Sequence, residues 1–176
     1  YLFLDGARLG YGLAAPDNDL TLPDIAALCD VFYIGGTKVG ALFGEAVVIK
    51  NPELAQDFRY LIKQNGGMLA KGRLLGLQFD ALFTDGLYQV ISAHAIAMAE
   101  KLREAFTAKG YTYLAPNRTN QIFVIVPDAH LAKISEQFEY SYDQRIDATH
   151  SCVRFCTGWA TREENVDALI RCGEKK

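Results

Sequence analysis

Two short segments near the start of the chain carry residue types that can do chemistry together: Asp5-Gly6-Ala7-Arg8 and, 33 positions after the aspartate, Lys38 within Gly35-Gly36-Thr37-Lys38-Val39-Gly40. Each follows an apolar run, Tyr1-Leu2-Phe3-Leu4 or Val31-Phe32-Tyr33-Ile34, of the kind that forms a buried strand. A carboxylate at the end of such a strand is costly unless it meets a cation or several donors, and Arg8 is part of that answer. Lys38 stands in a loop of small residues, with no helical partner at i+4 and with glycines that admit a ligand to the backbone. Its amine is therefore a candidate nucleophile toward a carbonyl, with a solvated surface lysine as the alternative when the residue is taken alone. A P-loop is excluded, because Val39 stands where that motif needs Ser or Thr and the glycine spacing differs.

Taken together, the acid and the amine suit the two edges of one ring. Pyridoxal phosphate needs a carboxylate that keeps its pyridine nitrogen protonated, which makes the ring an electron sink, and a lysine that forms an imine on the opposite edge. Far along the chain, Arg154 lies in Cys152-Val153-Arg154-Phe155-Cys156, a strand whose two faces both read as unsolvated. Its guanidinium calls for an anion, and a bidentate carboxylate fits its fork; a structural ion pair is the alternative.

Several elements must position these groups. Strand Tyr1–Leu4 leads into a Gly-rich loop through Gly12, and its abrupt apolar opening reads as a sheet interior with neighbours expected upstream. Thr21-Leu22-Pro23-Asp24 predicts a helix start, with Thr21 as N-cap, an acidic residue three positions on and Pro23 in the first turn. Strands at Val31–Ile34 and Ala46–Ile49 flank the Lys38 loop. Asn51-Pro52 predicts a helix running to Gly66-Gly67. A longer helical region covers 70–108, broken near Asp85-Gly86, with Ile91, Ala95, Met98, Leu102 and Phe106 as its core stripe and Gly110 just past its end. A smaller α/β unit follows: strands near 111–114, 121–126, 140–146 and 152–157, a helix over 128–138, and a final helix with the capping box Thr161-Arg162-Glu163-Glu164.

The 176 residues, half of them hydrophobic and 22% charged, suffice for one ordinary core or two small ones. A formal charge of -3 and no basic run with interleaved aromatics argue against nucleic acid as a partner. No stretch is long and apolar enough to span a membrane, and a cytoplasmic location is expected. Cys29, Cys152, Cys156 and Cys172 lack metal-ligand spacing, so reduced thiols and no metal are expected. His94 and His130 receive no role, and His150 is a weak candidate.

The motifs resemble those of the fold-type I, pyridoxal-phosphate-dependent threonine aldolase and β-eliminating lyase family. The resemblance rests on Asp5-Gly6-Ala7-Arg8-Leu9 and Gly36-Thr37-Lys38, and continues through Gly66-Gly67-Met68-Leu69-Ala70-Lys71-Gly72-Arg73, Thr119-Asn120-Gln121, Val153-Arg154-Phe155 and Trp159-Ala160-Thr161. It implies an aspartate-aminotransferase-like α/β fold, with the end of the large domain and connecting helices over 1–108 and the small C-terminal domain over 109–176. It implies further that Lys38 is the Schiff-base lysine, Asp5 holds the pyridine nitrogen, Arg8 and Thr37 lie at the cofactor, and Arg154 binds the substrate carboxylate. The expected substrate is a β-hydroxy-α-amino acid, cleaved to glycine and an aldehyde. β-Elimination, transamination and a non-catalytic oligomerising role are the alternatives. A homodimer or homotetramer is implied, with the phosphate-binding and ring-stacking residues in an amino-terminal half of the same protein. Lys71 and Arg73 are placed either at a cofactor phosphate, in this or a neighbouring subunit, or on a solvated helix face. Thr37 replaces the serine that many threonine aldolases carry before the lysine, and Met68-Leu69-Ala70-Lys71 departs from their arginine-centred segment.

Overall fold

A computed structural model describes residues 1–172; residues 173–176 of the expected second domain lie outside the described residues. The chain divides into two compact units, residues 1–14 with 18–92, and residues 15–17 with 93 onward.

In the first unit, β1 (Phe3–Leu4) pairs in parallel with β2 (Val31–Gly35), and β2 pairs antiparallel with β3 (Glu45–Ile49). Between β1 and β2 come α1 (Leu9–Leu13) and α2 (Leu22–Leu28). The start of α2 is the predicted one. Thr21 accepts the Asp24 N–H while the Asp24 carboxylate accepts the Thr21 N–H, a reciprocal box that satisfies two donors the helix leaves open. Ile25 and Cys29 then meet Phe32 of β2, with Leu4, Leu9, Leu22, Ile34 and Val48 packed around them.

The expected loop through Gly12 is instead the helix α1, a correction with a packing cause. A Cβ at Gly10 would stand 2.5 Å from Ser92 Oγ and 2.8 Å from the Tyr88 ring, so this glycine marks a close approach of helix backbone to side chains. The helix predicted from Asn51 is also two pieces, α3 (Pro52–Ala55) and α4 (Phe58–Gln64), parted at Asp57 with φ +57°. Asn51 does cap the first, accepting from Glu53 N–H at 3.0 Å, but neither piece buries a residue that would hold a continuous helix together. Next come α5 (Arg73–Phe83), a 3₁₀ turn at Thr84–Gly86 and α6 (Leu87–Ala108). The break falls where it was read, at Asp85 with φ +51° and Gly86 with φ +70°.

The second unit holds a four-stranded antiparallel sheet in the order β4 (Thr112–Tyr113), β5 (Gln121–Pro127), β7 (His150–Cys156), β6 (Ser141–Arg145). Alternation along β5 buries Ile122, Val124 and Val126 completely. They pack with Met98, Leu102 and Phe106 of α6, with Leu131 and Ile134 of α7 (Asp128–Ile134), and with Val166 and Leu169 of α8 (Glu163–Cys172). This core explains why the units part at Ser92/Ala93 rather than at 108/109: the stripe from Met98 onward belongs to the second hydrophobic cluster. The final capping box is displaced from its predicted form. α8 begins at Glu163, and the Thr161 hydroxyl accepts from Gly158 N–H at 2.8 Å in the preceding turn. Among the described residues no helix is long and apolar enough to cross a membrane, no cluster of ligating residues could hold a metal ion, and the four cysteines are free thiols.

Candidate active site

Because β1 and β2 are parallel neighbours, both motifs leave the sheet at the carboxyl ends of their strands, on one edge. They touch there. Gly35 N–H donates to the Gly6 carbonyl at 2.9 Å, a Cβ at Gly6 would sit 1.7 Å from the Tyr33 carbonyl oxygen, and one at Gly35 would sit 2.4 Å from that of Ala7. The glycines of Asp5-Gly6 and Gly35-Gly36 are thus required by backbone pressed on backbone.

The exposed Asp5 carboxylate accepts the Tyr33 hydroxyl and, at 3.0 Å, the Ala7 N–H, both at Oδ1. No protein donor reaches Oδ2 among the described residues. The Tyr33 phenol first and the Ala7 amide second hold Asp5 below the usual carboxylate range, and the charges of Lys38 and Arg8 act in the same direction. The carboxylate in return pushes the Tyr33 phenol up. Arg8 itself is half-buried at the start of α1.

Lys38 is exposed, and its amine has no hydrogen-bond or ion-pair partner among the described residues. Its backbone is tied on every side. The Gly36 carbonyl accepts from Val39 N–H at 2.9 Å and Ala41 N–H at 3.0 Å, Val39 is fully buried, and the Lys38 carbonyl accepts the Tyr11 hydroxyl. From β3, Glu45 accepts Gly36 N–H at 2.5 Å and the Thr37 hydroxyl at 3.0 Å. Thr37 therefore spends its one O–H on Glu45, which leaves it only acceptor capacity toward a cofactor. Tyr88 bridges the two motif segments, donating to Gly35 O at 3.0 Å and accepting from Gly10 N–H at 3.1 Å. Burial pushes its phenol up to about 12, so it stays neutral.

Sequence reasoning missed Tyr33, Tyr88 and Glu45. Strand alternation carried a signal for the first alone: Tyr33 is the polar-tipped residue on the face of β2 opposite the buried Phe32. A concavity of about 740 Å³ lies next to Glu45, lined also by Arg59, Arg73, Phe58 and Met68; neither Asp5 nor Lys38 lines it. Lys71 is exposed.

Arg154 stands in the second unit, on β7 directly across from Phe123 of β5. Its guanidinium lies 5.9 Å from the Phe123 ring centre and donates at 3.2 Å to Gln121 Oε1 and at 3.4 Å to Ser141 Oγ. Its Nε is buried without a partner, and no carboxylate pairs with it among the described residues. The reading of two unsolvated faces needs correction, since Cys152 is buried, Arg154 half-buried and Cys156 exposed. The Arg154 face opens to solvent along the strand. The histidines are engaged locally: His94 with the Thr161 carbonyl, His130 with the Tyr111 hydroxyl, and His150 with Asp147.

No family model matches the chain. It is 30% identical over 172 residues to a low specificity L-threonine aldolase of Pseudomonas sp. (strain NCIMB 10558), covering 96% of this chain and 48% of that protein. The solved threonine aldolase of Leishmania major is 42% identical and superposes with a TM-score of 0.96 over 98% of this chain and 51% of its own. Serine palmitoyltransferase of Sphingomonas wittichii, 14% identical with a TM-score of 0.64, covers 97% of this chain and 45% of its own and shares the fold. The chain spans about half the length of the curated relatives it matches. In fold the chain is mixed α/β and is similar to about half of each of these fold-type I structures, and in sequence it is similar to the carboxyl-terminal half of the threonine aldolases.

Proposed function

We propose that, in the intact protein, this chain supplies the acid, the amine and the carboxylate-binding arginine of a pyridoxal-phosphate-dependent lyase of the low-specificity L-threonine aldolase type. The observation that carries this reading is the meeting of Gly6, next to Asp5, with Gly35, at the start of the Lys38 loop, at the carboxyl ends of two parallel neighbouring strands. The residues fit the cofactor. Asp5 has an ionised carboxylate with Oδ2 open to a protonated ring nitrogen, and Lys38 presents an uncommitted amine to a carbonyl. The partnerless Nε of Arg154 fits a substrate carboxylate.

When bound, pyridoxal phosphate supplies an electron sink for the pair released as the substrate Cα–Cβ bond breaks. Asp5, held ionised at neutral pH, would pair with a protonated ring nitrogen. Lys38 would hold the cofactor through its amine. Arg154 would hold the substrate carboxylate, orienting a β-hydroxy-α-amino acid whose hydroxyl proton goes to a base as the aldehyde departs and whose Cα is then protonated to give glycine. A homodimeric or homotetrameric assembly and a cytoplasmic location belong to the same proposal; the exposed Leu74 and Leu77 of α5 support the assembly.

Borohydride treatment of the intact protein with pyridoxal phosphate, followed by peptide mass mapping, tests the assignment of Lys38. The expected label falls on Lys38 and is absent from Lys38→Ala; a label elsewhere would refute it. Product analysis tests the reaction, since pyruvate with ammonia would indicate β-elimination and a keto acid would indicate transamination.

A further inference from the structure

Glu45 is the first residue of β3 and pairs across the sheet with Gly35. Its two carboxylate oxygens divide between two consecutive donors, Oε2 accepting Gly36 N–H at 2.5 Å and Oε1 accepting the Thr37 hydroxyl at 3.0 Å. Both donors directly precede Lys38. Gly36 is buried, so its N–H needs a partner from the protein, and a group with two acceptor oxygens and no donor suits an amide and a hydroxyl side by side. The turn that delivers Glu45 is specialised: Gly44 has φ +85°, and its carbonyl oxygen lies 2.7 Å from where a Cβ on Gly36 would be. Beyond Lys38, the buried Val39 and the Tyr11 contact to the Lys38 carbonyl fix the other end of the loop. Without Glu45, Gly36 and Thr37 lose both of their side-chain tethers, and the remaining side-chain hold on this side of the loop is that of Tyr88 on the Gly35 carbonyl.

We propose that Glu45 is a positioning residue for Lys38, holding Gly36 and Thr37 so that the amine is presented in one place at the strand end. It acts through its neighbours and touches no reacting atom. The inference rests on the proposed role of Lys38.

Two substitutions separate geometry from charge. In Glu45→Gln the amide oxygen can still accept Gly36 N–H while the NH₂ donates to the Thr37 oxygen, so both tethers survive without the charge. In Glu45→Ala neither survives. In the intact apo protein, Glu45→Ala is expected to raise amide exchange at Gly36 roughly tenfold or more, consistent with loss of a hydrogen bond to a charged acceptor. Borohydride trapping of pyridoxal phosphate at Lys38 should slow by about the same factor, and Glu45→Gln should bring both close to wild type. Trapping by Glu45→Ala at the wild-type rate would overturn the proposal, as would slow trapping in both variants with Gly36 still protected. If Glu45→Ala does not fold, Glu45→Gln decides alone, and its Gly36 protection and trapping rate must both stay near wild type. Wild-type protein that traps nothing at Lys38 would defeat the cofactor reading itself, a different outcome from these.

Discussion

The Tyr33 hydroxyl donates to the same Asp5 oxygen that accepts the Ala7 amide, which leaves the other carboxylate oxygen without a protein donor. The phenol therefore both lowers the proton affinity of the acid and aims its open oxygen. Replacing Tyr33 with Phe removes the largest influence on Asp5, whose pKa should rise toward the ordinary carboxylate value. The sign follows from linkage. Asp5 is held low in the folded state, so the Tyr33 interaction is fully present above the unfolded carboxylate pKa and is lost as pH falls through the lower folded value. A carbon-detected NMR titration of the Asp5 carboxyl in intact apo protein checks this, and an unchanged midpoint in Tyr33→Phe would contradict it.

Gly6 shows how tightly the acid is seated. A Cβ there would fall 1.7 Å from the Tyr33 carbonyl, where the obstacle is strand backbone rather than a movable side chain. Gly6→Ala should cost about 3 kcal/mol or more, the upper end of overpacking effects, with β1 and β2 forced apart. Gly12→Ala is the control. Nothing lies within 4 Å of its added methyl, so it should stabilise by about 0.5 kcal/mol through unfolded-state entropy. Urea unfolding midpoints of the two variants would decide between these expectations.

What was legible in the sequence was local or periodic. The Thr21 to Asp24 box and the Asp85-Gly86 break took their predicted form, and of the stripe Ile91, Ala95, Met98, Leu102 and Phe106 the last four are buried while Ile91 is half-buried; each has a signature within a few residues. Residues set by tertiary approach were not legible. Gly10 reads as a loop glycine until Tyr88 and Ser92, some eighty positions on, are packed against it. Glu45 looks like a solvated strand-edge residue until antiparallel pairing sets it opposite Gly35. Asp5 and Lys38 could be proposed from the sequence because chemistry restricts the residue types that can serve it; the side chains that contact their segments answer to geometry alone.

The hairpin turn between β6 and β7 offers a pH test that involves none of the proposed site residues. Asp147 accepts the Thr149 amide at 2.7 Å and the His150 amide at 2.9 Å, and with the Thr149 amide as the first cause its carboxyl is lowered to about 2. The turn should keep its form through mild acid and loosen only as pH falls toward about 2. Amide shifts of Thr149 and His150 moving together near an ordinary carboxylate pKa would contradict that assignment.

Arg154 tests the substrate end. Its present partners, Gln121 and Ser141, are neutral and distant, so they orient the guanidinium without satisfying it. Lysine at this position keeps the charge but loses the planar fork and the contact over Phe123. In the intact protein Arg154→Lys should raise KM for the amino acid roughly tenfold to a hundredfold, the scale of one charge-assisted hydrogen bond, while kcat changes by less than about threefold. A substrate analogue without the carboxylate should bind both proteins equally. If instead KM holds and the variant merely unfolds at lower urea, then Arg154 is there for its packing on Phe123, and the carboxylate must be held by another residue.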